Sequence, residues 1–271
     1  MCLNLKSDVE MGITVVSLIN DKEHVQNVKK LIDKMSNNEF LNQKIGKPQV
    51  DLDLVSLYLL SLDETNLSYD DQTNIVAAMS FVQLALHIHE RVAYPTLSLQ
   101  ERQLSVLAGD LYSGAYYYIL AKDERIELIT TFAQAIKLTN EYKIEFRSDQ
   151  TSTIEDALEL TKVAEKTVIE YFCQYFNLEH LISLFEEYVF LKKLEKELTM
   201  NRIGDTSLFY NKIHTLAENK FEEICMNEMN RSWEKLTELI NHHERISSAM
   251  KESMIDQLAQ FRKHNLSEKK G

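Results

Sequence analysis

The residues of this chain that could do chemistry are eight histidines, three cysteines and a few close-set carboxylates, and their spacing excludes most known site types. A zinc hydrolase needs His-Glu-x-x-His, so that two imidazoles on one helix face reach one ion. Here His89-Glu90 is followed by Ala93, and His243-Glu244 by Ser247. No histidine has a glutamate three residues before it, so the Glu-x-x-His pairing of di-iron bundles is absent. His87 and His89 lie about 200° apart around a helix and face different ways. No Gly-x-Ser-x-Gly elbow or phosphate-binding Gly-rich loop occurs. Cys2, Cys173 and Cys225 are far apart and form no Cys-x-x-Cys, which fits free thiols in a reducing cytosol. Cys173, in a helical Tyr-rich segment, reads as core packing. The chain's one Asp-Asp pair, Asp70-Asp71, opens a helix, where carboxylates favour the dipole and the free N–H groups, so it reads as a cap.

The elements that must hold these residues are helices. Apolar stripes at helical spacing follow one another from about residue 21 to residue 264. Val25, Val28, Leu31, Ile32 and Met35 follow the capping box Asn20-Asp-Lys-Glu23. Gly46-Lys47-Pro48 closes that element. Further helices are expected over about 51–62, from Ser68 to a stop at Pro95, and over about 99–121 and 123–146. Another runs from a capping box at Ser152 to about 176, and the next covers about 178–200 with a break at Gly204. Two or three more follow Thr206. Residues 1–20 read as a loose lead-in, 21–265 as one helical bundle and 266–271 as a frayed tail.

Composition supports an all-α chain. Its 271 residues include only 6 Gly and 2 Pro, where average usage gives roughly 19 and 14. Sandwiches, barrels and doubly wound α/β folds need more of both at their turns. With 44% hydrophobic residues the chain is not disordered. Thirty basic against 42 acidic residues, net −12, exclude nucleic-acid binding by bulk charge. No 18-residue apolar run suggests a membrane span.

The most informative block is residues 82–121. Val106-Leu-Ala-Gly-Asp110, then Tyr112-Ser113 and Tyr116-Tyr117, resembles the small, component I subunits of heptaprenyl diphosphate synthases, members of the isoprenoid-synthase superfamily of helical bundles. The likeness extends back to Gln83, Ala85-Leu86 and His89, and forward to Ala135-Ile136-Lys137 with Asn140-Glu141. It is strong over about 80–146 and thin elsewhere. The implied fold is a single large all-α bundle, a degenerate isoprenoid-synthase fold.

In the catalytic relatives, His-Asp-Asp-x-x-Asp ends the helix before the Leu-Ala-Gly-Asp helix, and its aspartates hold Mg²⁺ on an allylic diphosphate. The matching residues here are His89, Glu90, Arg91 and Tyr94, with Glu90, Arg91 and Tyr94 at the three aspartate positions. One carboxylate, one cation and one phenol make no oxygen cage, and a guanidinium there repels the metal. The counterpart of the second aspartate-rich motif is Phe190-Leu-Lys-Lys-Leu-Glu195, with Lys192 and Lys193 where acidic or neutral groups belong. The Gly-Lys-x-x-Arg segment that grips isopentenyl diphosphate survives only as Gly46-Lys47-Pro48-Gln49-Val50.

The resemblance therefore implies a non-catalytic subunit with no metal of its own. Its partner would be a large component II that holds the Mg²⁺ and condenses isopentenyl diphosphate onto an allylic diphosphate, making the heptaprenyl chain of menaquinone. Such a subunit would stabilise the partner and help set product length. Candidates for the product tunnel or the subunit interface are Leu107, Asp110, Leu111, Ser113, Tyr116, Tyr117 and Leu120. The tyrosines read either as ordinary core or as an interface of apolar area with polar tips. Asp110 is costly on an apolar helix unless paired or hydrated. The expected location is the cytoplasm, with transient membrane contact on product release. Two other readings stay open: a stand-alone prenyl transferase or cyclase with an unusual site, and a helical adaptor unrelated to prenyl chemistry.

Overall fold

The computed structural model describes residues 22–267, with side chains to residue 260. The expected lead-in 1–20, the capping box at Asn20 and the last four residues lie outside that range. Among the described residues there is no strand. The helices are α1 (22–35), α2 (Glu39–Ile45), α3 (Leu52–Leu62), α4 (Tyr69–Arg91), α5 (Leu99–Lys122), α6 (Ile126–Arg147), α7 (Ile154–Tyr175), α8 (Ile182–Arg202), α9 (Leu208–Leu216), α10 (Phe221–His242) and α11 (Ser248–Ser267). The all-α architecture expected from the sequence is the one observed among the described residues.

Caps in the sequence set most of the starts. Ser68 accepts from the Asp71 N–H to open α4. Ser98 and Glu101 form a reciprocal capping box on α5. Asp71 also pairs with Arg125 at 2.5 Å, so the Asp70-Asp71 pair does serve a helix start. Three boundaries differ from expectation. The seven-residue α2, opened by Asn38, is too short to show a stripe. Thr153 rather than Ser152 caps α7. α4 ends at Arg91, before Pro95, because the N–H groups of Val92, Ala93 and Tyr94 turn back to carbonyls three residues earlier. Gly204 ends the turn after α8 at φ +77°, a conformation that glycine adopts without a Cβ penalty.

α4 is paired along its length with α5, α6 with α7, and α8 lies between α7 and α10. α11 lies on α3, where Gln257 donates to the Asp53 carbonyl at 3.3 Å. α4 is buried all round from Ile75 to Val82, and α8 is buried on both sides from Leu184 to Leu198. Tyr58 of α3 meets Phe172 of α7 and Phe185 of α8 at ring-centroid distances of 5.6 and 5.5 Å. Each such fully buried side chain contributes about 1.5–3 kcal/mol by leaving water. α4 and α8 are thus the inner walls of the bundle, and any polar residue on their inward faces must find its partner inside.

Candidate functional site

α3, α4, α7 and α8 enclose a cleft of about 720 Å³. Its two ends differ in chemistry. The middle of α4 and the adjoining turns of α3 and α8 give an apolar floor of Val55, Tyr58, Leu84 and Val189. The rim, toward the end of α4, carries Asp51, Asp53, His87, Glu165, Lys192, Lys193 and Lys196.

The rim is knitted together by ion pairs. Lys193 on α8 is 6% exposed, and its Nζ lies 3.4 Å from Glu90 of α4, 3.6 Å from Glu165 of α7 and 3.1 Å from Glu197 one turn along α8. Lys143 of α6 reaches Glu90 at 2.8 Å. On the same rim, Lys192 holds Asp51 at 3.2 Å and Asp53 at 3.1 Å, tying α8 to the start of α3. Burial opposes the charges of Glu90, Glu165, Lys192 and Lys193, yet the partners outweigh it. Lys193 sits well above its ordinary pKa because Glu90, Glu197 and Glu165 surround it. Burial would raise Glu90, but Lys143 and Lys193 hold it well below the usual carboxylate range. Glu165 is likewise pulled down to about 2, burial being overcome by Lys193 and His87. The His87 pKa is lowered by burial and by Lys196, so its imidazole is neutral at physiological pH. Tyr94 is buried beside this group, its hydroxyl pushed up by burial and by Glu90.

The four residues of the first degenerate motif separate. Glu90 and Tyr94 join the network. Arg91 turns away and donates to the Ile45 carbonyl at 3.4 Å, so the cation occupying the carboxylate cluster is Lys193, not the guanidinium expected there. His89 is exposed, its ring laid against Gly109, where a Cβ would come within 2.3 Å of the imidazole. That contact gives the glycine of Leu-Ala-Gly-Asp a packing reason. Glu165, Glu197 and Lys143 were not singled out from the sequence. The available signal was α8 itself: with Phe185, Val189 and Phe190 apolar on its second face, Lys193 and Glu197 at i, i+4 could not both point to water.

α5 supplies no wall of this cleft. Tyr116 and Leu120 are buried in the core, Tyr116 against Tyr117 and Phe132 with ring centroids 4.5 and 6.4 Å away. Leu111 and Ser113 are half-buried. Leu107 and Tyr117 are exposed, and so is Asp110, which meets its need for a partner by hydration. The exposed positions of α5 are 99, 100, 103, 106, 107, 110, 114, 117, 118, 121 and 122, which make one stripe along the helix. Leu99, Val106, Leu107, Tyr117 and Tyr118 make it largely apolar, with Leu107 57% and Tyr118 63% exposed. The neighbouring exposed face of α6 is mixed: Glu127, Thr130, Gln134, Lys137 and Glu141 lie between the exposed Ile126 and Ile144 at its ends. Among the described residues no helix is long and apolar enough to cross a membrane.

Comparison with known proteins points one way. The family described as heptaprenyl diphosphate synthase (HEPPP synthase) subunit 1 matches residues 38–245. Heptaprenyl diphosphate synthase component 1 of Geobacillus stearothermophilus is 34% identical over 108 residues, 40% of this chain and 49% of that protein. The matched region thus spans about half the length of that relative. Among solved structures, a geranylgeranyl pyrophosphate synthetase from the archaeon Geoglobus acetivorans covers 89% of this chain and 96% of its own with a TM-score of 0.57 at 13% identity. An FPP/GFPP synthase from Zymomonas mobilis covers 89% and 99% with a TM-score of 0.52 at 14% identity. At such identities the two structures speak for the fold.

Proposed function

Since the chain belongs to the heptaprenyl diphosphate synthase subunit 1 family, we propose that it is the non-catalytic subunit of a two-component trans-polyprenyl diphosphate synthase. The observation that carries this reading is the Lys193 ammonium seated among Glu90, Glu165 and Glu197. A divalent ion needs those oxygens for itself. Here they are already neutralised by a tethered cation, and Lys143 adds a second positive charge at Glu90. The donor set does not fit Mg²⁺, so no catalytic step is derived through this chain. In the proposed assembly Mg²⁺, allylic diphosphate and isopentenyl diphosphate bind to a catalytic component II, and the heptaprenyl product goes to the menaquinone side chain.

The apolar stripe of α5 is the surface we assign to that partner. Large exposed apolar patches mark interaction sites, and tyrosine and leucine suit them better than charge. Gly114 in the middle of the stripe lets a second helix approach closely. Any influence on product length then acts through α5 shaping the partner, since α5 does not wall this chain's own cleft. The assembly would work in the cytoplasm, with membrane contact as the product leaves.

The test is turnover with Mg²⁺, farnesyl diphosphate and isopentenyl diphosphate. The chain alone is expected to be inactive, and co-expression with component II to yield a stable, active complex. Turnover by the chain alone at the rate of an ordinary synthase would overturn the reading. Failure to bind any prenyl synthase would leave the helical adaptor as the better account.

A further inference from the structure

A single charge stands inside the exposed stripe of α5. From 99 to 121 every exposed residue of the helix is neutral except Asp110, and the stripe's one cation, Lys122, lies at its far end. Asp110 is central in both directions. It falls near the middle of 99–122, and at about 100° per residue it points within about 20° of the mid-line of Leu99, Val106, Leu107, Tyr117 and Tyr118. Among the described residues it makes no ion pair or hydrogen bond. We propose that Asp110 selects the partner of this face: it rejects a second copy of the chain and calls for a helix that brings a lysine or arginine to its carboxylate. This rests on the reading of the stripe as a docking surface and names what must stand opposite it.

Without Asp110 the stripe would suit a copy of itself. A symmetric pair uses the same patch on both chains, and two arrangements bury the whole stripe. In one, the two-fold axis crosses antiparallel helices at mid-stripe. Leu107 then lies near Gly114 of the other copy, where a side chain finds open space, and the two Asp110 carboxylates meet at the axis. In the other, the axis runs along the helices and every residue faces its own copy, Asp110 included. Sliding the copies apart separates the carboxylates only by returning Leu99, Val106 and Leu107, or Tyr117 and Tyr118, to water.

Like charges brought together in an apolar, dehydrated surface repel strongly. No exposed cation of α5 lies between 99 and 121 to relieve them. On the adjoining face of α6, Lys137 is 3.8 Å from Glu141. A basic side chain from a different polypeptide turns the same carboxylate into a charge-assisted hydrogen bond. One residue thus disfavours the wrong partner and rewards the right one.

The test is sedimentation equilibrium of the full chain without component II. The unsubstituted chain is expected to stay monomeric, and Asp110→Asn to self-associate about tenfold more tightly or better. Asp110→Lys is expected to stay monomeric alone, yet to pair one-to-one with the unsubstituted chain. Asp110 is exposed and holds no contact inside the chain, and circular dichroism checks both folds. Dimerisation of the unsubstituted chain, unchanged association of Asp110→Asn, or failure of the mixed pair to form each overturns the proposal. Should one variant misfold, the other arm decides. In capture by component II, Asp110→Lys is expected to bind about tenfold more weakly or worse, and equal capture also overturns the proposal. Failure of the unsubstituted chain to capture component II strikes the docking reading instead, and the self-association arms still decide the role of Asp110.

Discussion

The inner faces of α4 and α8 and the outer face of α5 reverse the usual placement of residues. Inside, where water is scarce, stand Glu90, Glu165, Lys193 and Glu197. Outside, where water is plentiful, stand Leu99, Leu107, Tyr117 and Tyr118. The inner charges are affordable because each has an oppositely charged neighbour within reach. The outer apolar stripe has no such internal compensation; in the proposed assembly a partner supplies it. On the proposed reading, the inner charges hold the fold and the α5 surface serves assembly.

Removing the central cation is the strongest way to break this contrast. Lys193→Met strands three carboxylates and should cost about 3–5 kcal/mol in urea denaturation, the penalty for breaking a buried ion pair from one side. An unchanged midpoint would show that the network is decoration. Next comes the outer face. Leu107→Asp with Tyr118→Asp should change the stability of the isolated chain by only about 0.5 kcal/mol per site. Capture of component II should weaken by about 2 kcal/mol or more, the scale of an interface hot spot. If capture survives, the stripe is not the docking surface.

Acid and base sharpen the inner half of the contrast. Glu165 is lowered from its ordinary 4.5 to about 2, and Glu90 is lowered too, so their contribution is complete above about pH 4.5 and lost as pH falls toward 2. Lys193 is raised, so its contribution is complete below its ordinary 10.5 and fades as pH climbs through its folded value. Thermal melts across pH should show both edges in the parent and lose them together in Lys193→Met. The smallest effect belongs to Gly109→Ala. The helix gains up to about 1 kcal/mol from alanine, while the new methyl displaces the exposed His89 ring. A melting point close to the parent's, with changed chemical shifts of the His89 ring, is the expected outcome.

The architecture was legible because long helices repeat their apolar residues many times, so errors at single positions average out. α2 was not, since seven residues make two turns and its signal is the single Asn38 cap. In the site, Glu90 and the pair Lys192-Lys193 stood out by their place in the motifs. Glu165 and Lys143 did not, because a charged residue on an amphipathic helix looks the same in sequence whether it faces solvent or a buried partner on another helix. Arg91 was read as facing the site, but the end of α4 at Arg91 aims it at the Ile45 carbonyl. Direction at a helix terminus depends on the turn that follows, and no stripe records that.

A counter-ion that is covalently part of the chain differs from one drawn from solution. Lys193 is present at unit stoichiometry from the moment of synthesis, and its local concentration ignores the magnesium content of the cell. The ion pairs that Lys193 makes form without any ion from solution. In the proposed assembly, control therefore enters at the step where the other polypeptide binds.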